Sequence, residues 1–120
     1  MITLTGTNYQ GQTVTLITNT ASDGSYSFTV PAGTYSVVEG PTPGYLENSN
    51  TVGTLGGTVS GDSITHISVT ATATATASGT GYNFGELPPA SISGFNYIDA
   101  NNDGIFENIE APLFNTTIIL

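Results

Sequence analysis

Lysine and arginine are absent from this chain of 120 residues, which carries nine aspartates and glutamates and a formal net charge of −9. A surface without positive side chains repels phosphate backbones and anionic headgroups, so binding to nucleic acid or to a membrane surface is not expected. Cysteine is also absent, which removes both a disulfide framework and any thiolate metal site. No apolar run approaches the roughly 18 residues that span a bilayer, so no membrane insertion by this chain is expected. The first residues, Met1-Ile2-Thr3-Leu4-Thr5, contain neither basic residues nor an apolar core and do not read as a signal peptide. An exported protein would then carry this sequence as a processed form or as a stretch of something longer.

What remains is rich in Thr, Ser, Gly and Asn, with charged residues at only 8%. β-branched residues are abundant and helix formers scarce, a balance that favours strands joined by tight turns. Ile2 and Leu4, then Val14 and Leu16, alternate with threonines, and Asn8-Tyr9-Gln10-Gly11 reads as the hairpin between them. Asp23-Gly24 marks a turn before Ser25–Val30, where Tyr26, Phe28 and Val30 share one face. Pro31-Ala32-Gly33 turns into a strand over Thr34–Glu39 that carries Tyr35 and Val37. Residues 40–62 are broken by Pro41, Pro43-Gly44 and Gly56-Gly57. The longest alternating run follows, with Ile67, Val69, Ala71, Ala73, Ala75 and Ala77 on one side. Tyr82 and Phe84 continue the β pattern, Leu87-Pro88-Pro89 reads as a joint between modules, and Ser91–Ile98 and Asn115–Leu120 are the last strand candidates. No helical stripe is present. Short strands at near-regular spacing predict an all-β sandwich.

One segment carries specific chemistry. Asp99-Ala100-Asn101-Asn102-Asp103-Gly104-Ile105-Phe106-Glu107-Asn108-Ile109-Glu110 fits the pattern D-x-[DN]-x-[DN]-G-x5-E at every constrained position. Calcium takes six to eight hard oxygen ligands at roughly 2.3–2.6 Å. Asp99, Asn101 and Asp103 would supply side-chain oxygens, and Gly104 would permit the sharp turn. The carbonyl of Ile105 would follow, then Glu107 directly or through water, and Glu110 as the closing carboxylate. Four of the nine carboxylates fall within these twelve residues, where they repel one another unless a cation is bound. The flanks are β-like, so the loop is expected without EF-hand helices, in a structural role at extracellular calcium levels.

Other chemistry finds less support. His66 is the only histidine and is expected at an ordinary strand position. Gly53-Thr54-Leu55-Gly56-Gly57 lacks the lysine of a phosphate-binding loop. No serine has a specified base, and the densest carboxylate cluster is taken by the calcium pattern, so the chain does not read as an enzyme. Tyr26, Phe28, Tyr35, Tyr82, Phe84, Phe95 and Tyr97 fall on alternating positions and are expected to pack inward, with Tyr45, in the turn-rich region, the one to look for on the surface. Asn115-Thr116-Thr117 is an N-glycosylation acceptor pattern, common by chance in so Thr-rich a chain.

Ser93–Gly104 resembles the opening of the SdrD B-like repeats of bacterial surface proteins, calcium-binding relatives of the Cna B-type, immunoglobulin-like fold. Asp23–Phe28 with Pro31–Val37 is similar to that family's central signature, and Gly79–Glu86 to its ending. The resemblance implies a seven-stranded-type sandwich strung in tandem as a stiff stalk between an anchor and an adhesive head at the cell surface. Two departures stand out. The Lys–Asn isopeptide bond of many Cna B-type domains cannot form without lysine. The order is also shifted, because the Gly-Phe-x-Tyr strand and calcium loop come last, after Pro88-Pro89. Residues 1–90 then read as a sandwich body lacking its family's first strand. Residues 91–120 read as the calcium loop and strands that start the next module or complete a neighbouring one.

Overlaying Ile118-Ile119-Leu120 on Ile2-Thr3-Leu4 makes the chain slightly longer than one repeat. A covalent tandem array, a fibre joined head-to-tail by strand donation between copies, and a permuted domain folding on itself all accommodate this order. The function expected is a calcium-stiffened structural repeat of an extracellular stalk or filament. The alternative is an adhesive module that recognises glycan or host protein through a loop within 40–57.

Overall fold

The computed structural model describes residues 1–72 and 75–120. They form two compact units, Met1–Pro89 and Ala90–Leu120. Among the described residues there are strands and turns but no helix, and hence no helix long and apolar enough to cross a membrane.

The first unit is built on a hairpin. Strands β1 (Ile2–Asn8) and β2 (Thr13–Thr18) pair antiparallel with Leu4 opposite Leu16 and Thr7 opposite Thr13. Asn8 closes the turn, because its Oδ1 accepts from the backbone N–H groups of Gln10 and Gln12 at 3.0 and 2.9 Å. Gly11 takes the left-handed conformation the reversal needs, with φ 76°. Strand β3 (Gly33–Glu39) lies on the other side of β1, with Leu4 opposite Val37 and Gly6 opposite Tyr35.

Short strands β4 (Leu46–Glu47) and β5 (Thr58–Ser60) lie inside the turn-rich segment 40–62. Strand β6 (Ser63–Val69) pairs with β3 and β5, giving a five-stranded antiparallel sheet in the order β2-β1-β3-β6-β5. The alternating run was expected to continue through residue 77, but it does not form one strand. Strands β7 (Ala71–Thr72) and β8 (Ala75–Thr76) pair antiparallel with each other. Ala73 of that expected face lies outside the described residues. Strand β9 (Glu86–Leu87) pairs with β4.

His66 does not hold an ordinary strand position. It sits at φ 59° where the β3–β6 register slips, so that Tyr35 faces Ile67 while Val37 faces Ile64. This bulge sets two isoleucines three residues apart on the same buried face, which uninterrupted alternation cannot do. His66 itself is exposed, and its Nδ1 lies 2.9 Å from Thr65 Oγ1.

The core is the inner face of that sheet: Ile2, Leu4, Tyr35, Val37, Ile64 and Ile67. Tyr26, Phe28 and Val30 pack partly against it, as their alternation predicts. The expected strand over 25–30 nonetheless makes no ladder, and the segment of Tyr82 and Phe84, which also pack partly against the core, forms an isolated bridge between Thr51 and Asn83.

Two glycines make room for the largest core side chain. A Cβ on Gly6 would strike the Thr34 carbonyl oxygen and come within 2.6 Å of Tyr35 Cδ1, and one on Gly33 would lie 2.9 Å from Tyr35 Oη. Gly6→Ala is therefore expected to destabilise the unit by about 1–3 kcal/mol, as overpacking does. Chemical denaturation checks this, and an unchanged midpoint would show that Tyr35 can yield.

At the end of β3, Glu39 places Oε2 in a buried position without a hydrogen-bond partner. Burial, then the neighbouring Glu86 and Asp62 carboxylates, push its carboxyl above the ordinary value of 4.5. Folding thus favours the protonated form. The stability this group contributes is fully present below pH 4.5 and is lost as pH rises through the raised folded value. Glu39→Gln should accordingly melt at a higher temperature than wild type at neutral pH, and the gap should close in acid. Parallel thermal melts across that range test the sign.

Candidate metal centre

The second unit is organised by main-chain bonds that bring residues 96–98 beside 111–113. Ile98 N–H donates to Ala111 O at 2.9 Å, and Leu113 N–H donates to Asn96 O at 2.8 Å. Tyr97 and Pro112 form the only β bridge of this unit among the described residues. Neither Ser91–Ile98 nor Asn115–Leu120 makes a regular strand, contrary to the alternation-based expectation. A segment of 31 residues is too small to bury its apolar side chains, and Ile92, Phe95, Ile109 and Phe114 stay exposed, which leaves such pairing short.

Between the paired segments lies the Asp99–Glu110 loop. Asp99 Oδ2 accepts from Gly104 N–H at 2.9 Å, and its Oδ1 accepts from Asp103 N–H at 3.2 Å. Asn101 Oδ1 accepts from Asp103 N–H at 3.2 Å, and Asp103 Oδ1 accepts from Ile105 N–H at 2.8 Å. The first, third and fifth positions therefore turn their oxygens toward the inside of the curl that their own backbone makes. Gly104, at φ 77°, supplies the expected turn, and Asn102 adds a second left-handed residue at φ 61°. A Cβ on Gly104 would meet nothing within 4 Å, so conformation and not space explains the glycine.

Glu110 is buried. Its Oε1 accepts from Ala100 N–H at 3.0 Å and its Oε2 from Glu107 N–H at 3.1 Å, which ties the end of the loop to its beginning. Glu107 is reached through Asn101, whose Nδ2 donates to Glu107 Oε2 and to Asp103 Oδ2, both at 3.0 Å. This amide holds two carboxylates in the way a small cation would. Rotated about its last bond, it presents an oxygen to the same point.

The donor set of Asp99, Asn101, Asp103, Ile105, Glu107 and Glu110 consists of hard oxygens, with no nitrogen or sulfur, and so suits calcium better than zinc or copper. Among the described residues no three His, Cys, Asp or Glu side chains are already drawn together around one point. Glu110 faces backbone N–H groups, and closing the loop on an ion requires it to swing inward.

The carboxylates shape the local field. Tyr97 has its hydroxyl pushed above the usual phenol range, first by burial and then by Asp99, Glu110, Asp103 and Glu107. The motif was silent about Phe106, which fills an unconstrained position. Its ring stacks on Phe95 with centroids 4.3 Å apart and lies 5.2 Å from that of Tyr97, pinning the loop to the segment before it. The sequence signal for that contact is slight: one aromatic residue in a loop whose other apolar side chains are Ala100, Ile105 and Ile109.

Compared with known protein families, with curated proteins and with solved structures, the chain finds no match.

Glu110→Ala removes the acceptor for two amides at once. Hydrogen exchange at Ala100 and Glu107 should accelerate while exchange in β1, β3 and β6 stays as in wild type. Unchanged protection at those two amides would mean that Glu110 does not close the loop.

Proposed function

We propose that this chain is a structural repeat module of an extracellular, cell-surface stalk or filament. Its body has the immunoglobulin-like, Cna B-type sandwich arrangement, and copies follow one another head-to-tail. Calcium bound by Asp99, Asn101, Asp103, the Ile105 carbonyl, Glu107 and Glu110 stiffens the loop that follows the joint at Pro88-Pro89. The observation that carries this reading is the inward turn of the Asp99, Asn101 and Asp103 side-chain oxygens onto the backbone of a single loop. In a chain without lysine or arginine, a divalent cation is the natural counter-charge to four carboxylates spaced within twelve residues. Ion binding would offset that repulsion and order the loop, so binding and folding of this unit are coupled. The role proposed is mechanical and not catalytic.

The adhesive alternative draws on Tyr45, 58% exposed beside a small cleft of about 270 Å³ that includes Glu47, Asp62 and Glu86. A lone ring among three carboxylates makes a poor sugar platform, because Tyr26, Phe28, Tyr35, Tyr82 and Phe84 pack toward the core. The structural reading is therefore preferred.

Calorimetric titration with calcium should show one site on the wild-type chain. Asp103→Ala should weaken it at least tenfold, equivalent to about 1.4 kcal/mol. Calcium should also raise the melting temperature of the wild type and move that of the variant less. No heat of binding and identical melts with calcium and with chelator would sink the calcium reading.

A further inference from the structure

The first unit holds a cleft of about 1040 Å³ on the inner face of its main sheet, with Leu4, Tyr35, Val37 and Ile67 in its lining. Residues 24–30 and 77–84 supply most of the remaining lining, and Glu39 borders it too. These two segments are fastened by tyrosines. Tyr26 Oη donates to Tyr82 O at 2.6 Å, while Tyr82 Oη accepts from Leu55 N–H at 3.1 Å and donates to Gly56 O at 3.0 Å. Along 26–30, half-buried and exposed residues alternate as in a strand. Yet the main chain of 26–30 makes no hydrogen bond to the main chain of another described residue. An extended, unpaired main chain beside an apolar cleft is a template for an added strand.

We infer that this cleft receives residues 91–98 of a second copy of the chain, added as a strand alongside 26–30. The inference rests on the head-to-tail reading above and names the surfaces that make the joint.

Four observations select this occupant. Ile118-Ile119-Leu120 repeats the pattern of Ile2-Thr3-Leu4, which β1 already supplies, leaving Ser91–Ile98 as the strand candidate of the second unit that can be given to another copy. Within 91–98 one edge is engaged, through Asn96 and Ile98, with 111–113, and a strand has two edges. Ile92 and Ile98 fall on the same face of an extended chain and are 85% and 51% exposed, while Phe95 and Tyr97 on the opposite face meet Phe106. Asn96 shares the Ile92 and Ile98 face and offers an amide donor to Glu39 Oε2, the buried, unpartnered oxygen of a cleft-lining residue.

Charge agrees with this choice. Neither Ser25–Val30 nor Ser91–Ile98 contains an ionisable acid, so the contact avoids the mutual repulsion of two chains of net charge −9. Pro88-Pro89 fixes φ at two successive residues and biases Leu87 toward extended backbone, which opposes a tight return into the same chain. A second copy is thus the occupant to which these features commit.

The test uses the full chain, with molar mass followed by light scattering as concentration rises. Wild type should grow beyond the single-chain mass. A donor variant, I92D/I98D, and an acceptor variant, Phe28→Asp, should each stay at the single-chain mass, and a mixture of the two should stop at two chains. Should Phe28→Asp fail to fold, Thr29→Pro serves instead, because it removes an N–H from the open main chain while its own side chain is exposed. Wild type that stays single-chain at every concentration overturns the inference, as does assembly that survives in I92D/I98D. Calcium titration of the same samples separates the two readings. A single-chain wild type that binds calcium leaves the calcium module standing without this joint, and assembly without calcium binding does the reverse.

Discussion

The packing of Tyr35 across Gly6 and Gly33 is the constraint on which the first unit depends. Its ring is buried in the middle of β3, the strand bonded to both β1 and β6. The hydroxyl donates to Pro31 O at 2.9 Å, so the ring can lie inside without an orphaned polar atom. Ile2, Leu4, Val37, Ile64 and Ile67 gather around it. To bring both Ile64 and Ile67 to that face, β6 must bulge, and the bulge falls at His66. A side chain with a left-handed φ in mid-strand is the conformational cost of filling the space beside one tyrosine.

Electrostatics divides the molecule differently. Without lysine or arginine there are no side-chain ion pairs to set register, so apolar alternation and threonine-lined ladders do it alone. The carboxylates are left to find backbone N–H groups, and two places show the outcomes. In the Asp99–Glu110 loop they cap the turns of their own chain. At Glu39 the partner is missing, burial and like charge raise the group's affinity for protons, and the unpartnered oxygen belongs to a residue that borders the apolar cleft. Both places are short of positive charge or of a donor, and the proposals made for this chain, a calcium ion and a strand from a second copy, each supply what is missing.

Much of the core was legible in the sequence. Period-two alternation placed Ile2, Leu4, Tyr35 and Val37 correctly, and Asn8–Gly11 correctly announced a hairpin, because short-range turn chemistry and side-chain parity are local properties. The same reasoning failed where parity is broken by tertiary packing. Ile64 lies outside the face assigned to the later run, and only the bulge at His66 brings it inward. The run through residue 77 read as one strand because its residues alternate, yet β7 pairs with β8 instead. Ser25–Val30 and Ser91–Ile98 show the converse. Their alternation is that of strands, yet a ladder needs a neighbour, and the sequence of a segment does not say whether one is present.

For the candidate site, spacing alone determined that the oxygens of Asp99, Asn101 and Asp103 turn inward around Gly104, since a twelve-residue curl with those side chains has few other ways to satisfy its backbone. Tertiary structure decided that Glu110 is buried against Ala100 and Glu107, that Phe106 stacks on Phe95, and that Tyr26 and Tyr82 frame a cleft. Those contacts join residues whose positions along the chain carry no common signal, and each depends on how much apolar surface remains to be covered after the strands have formed.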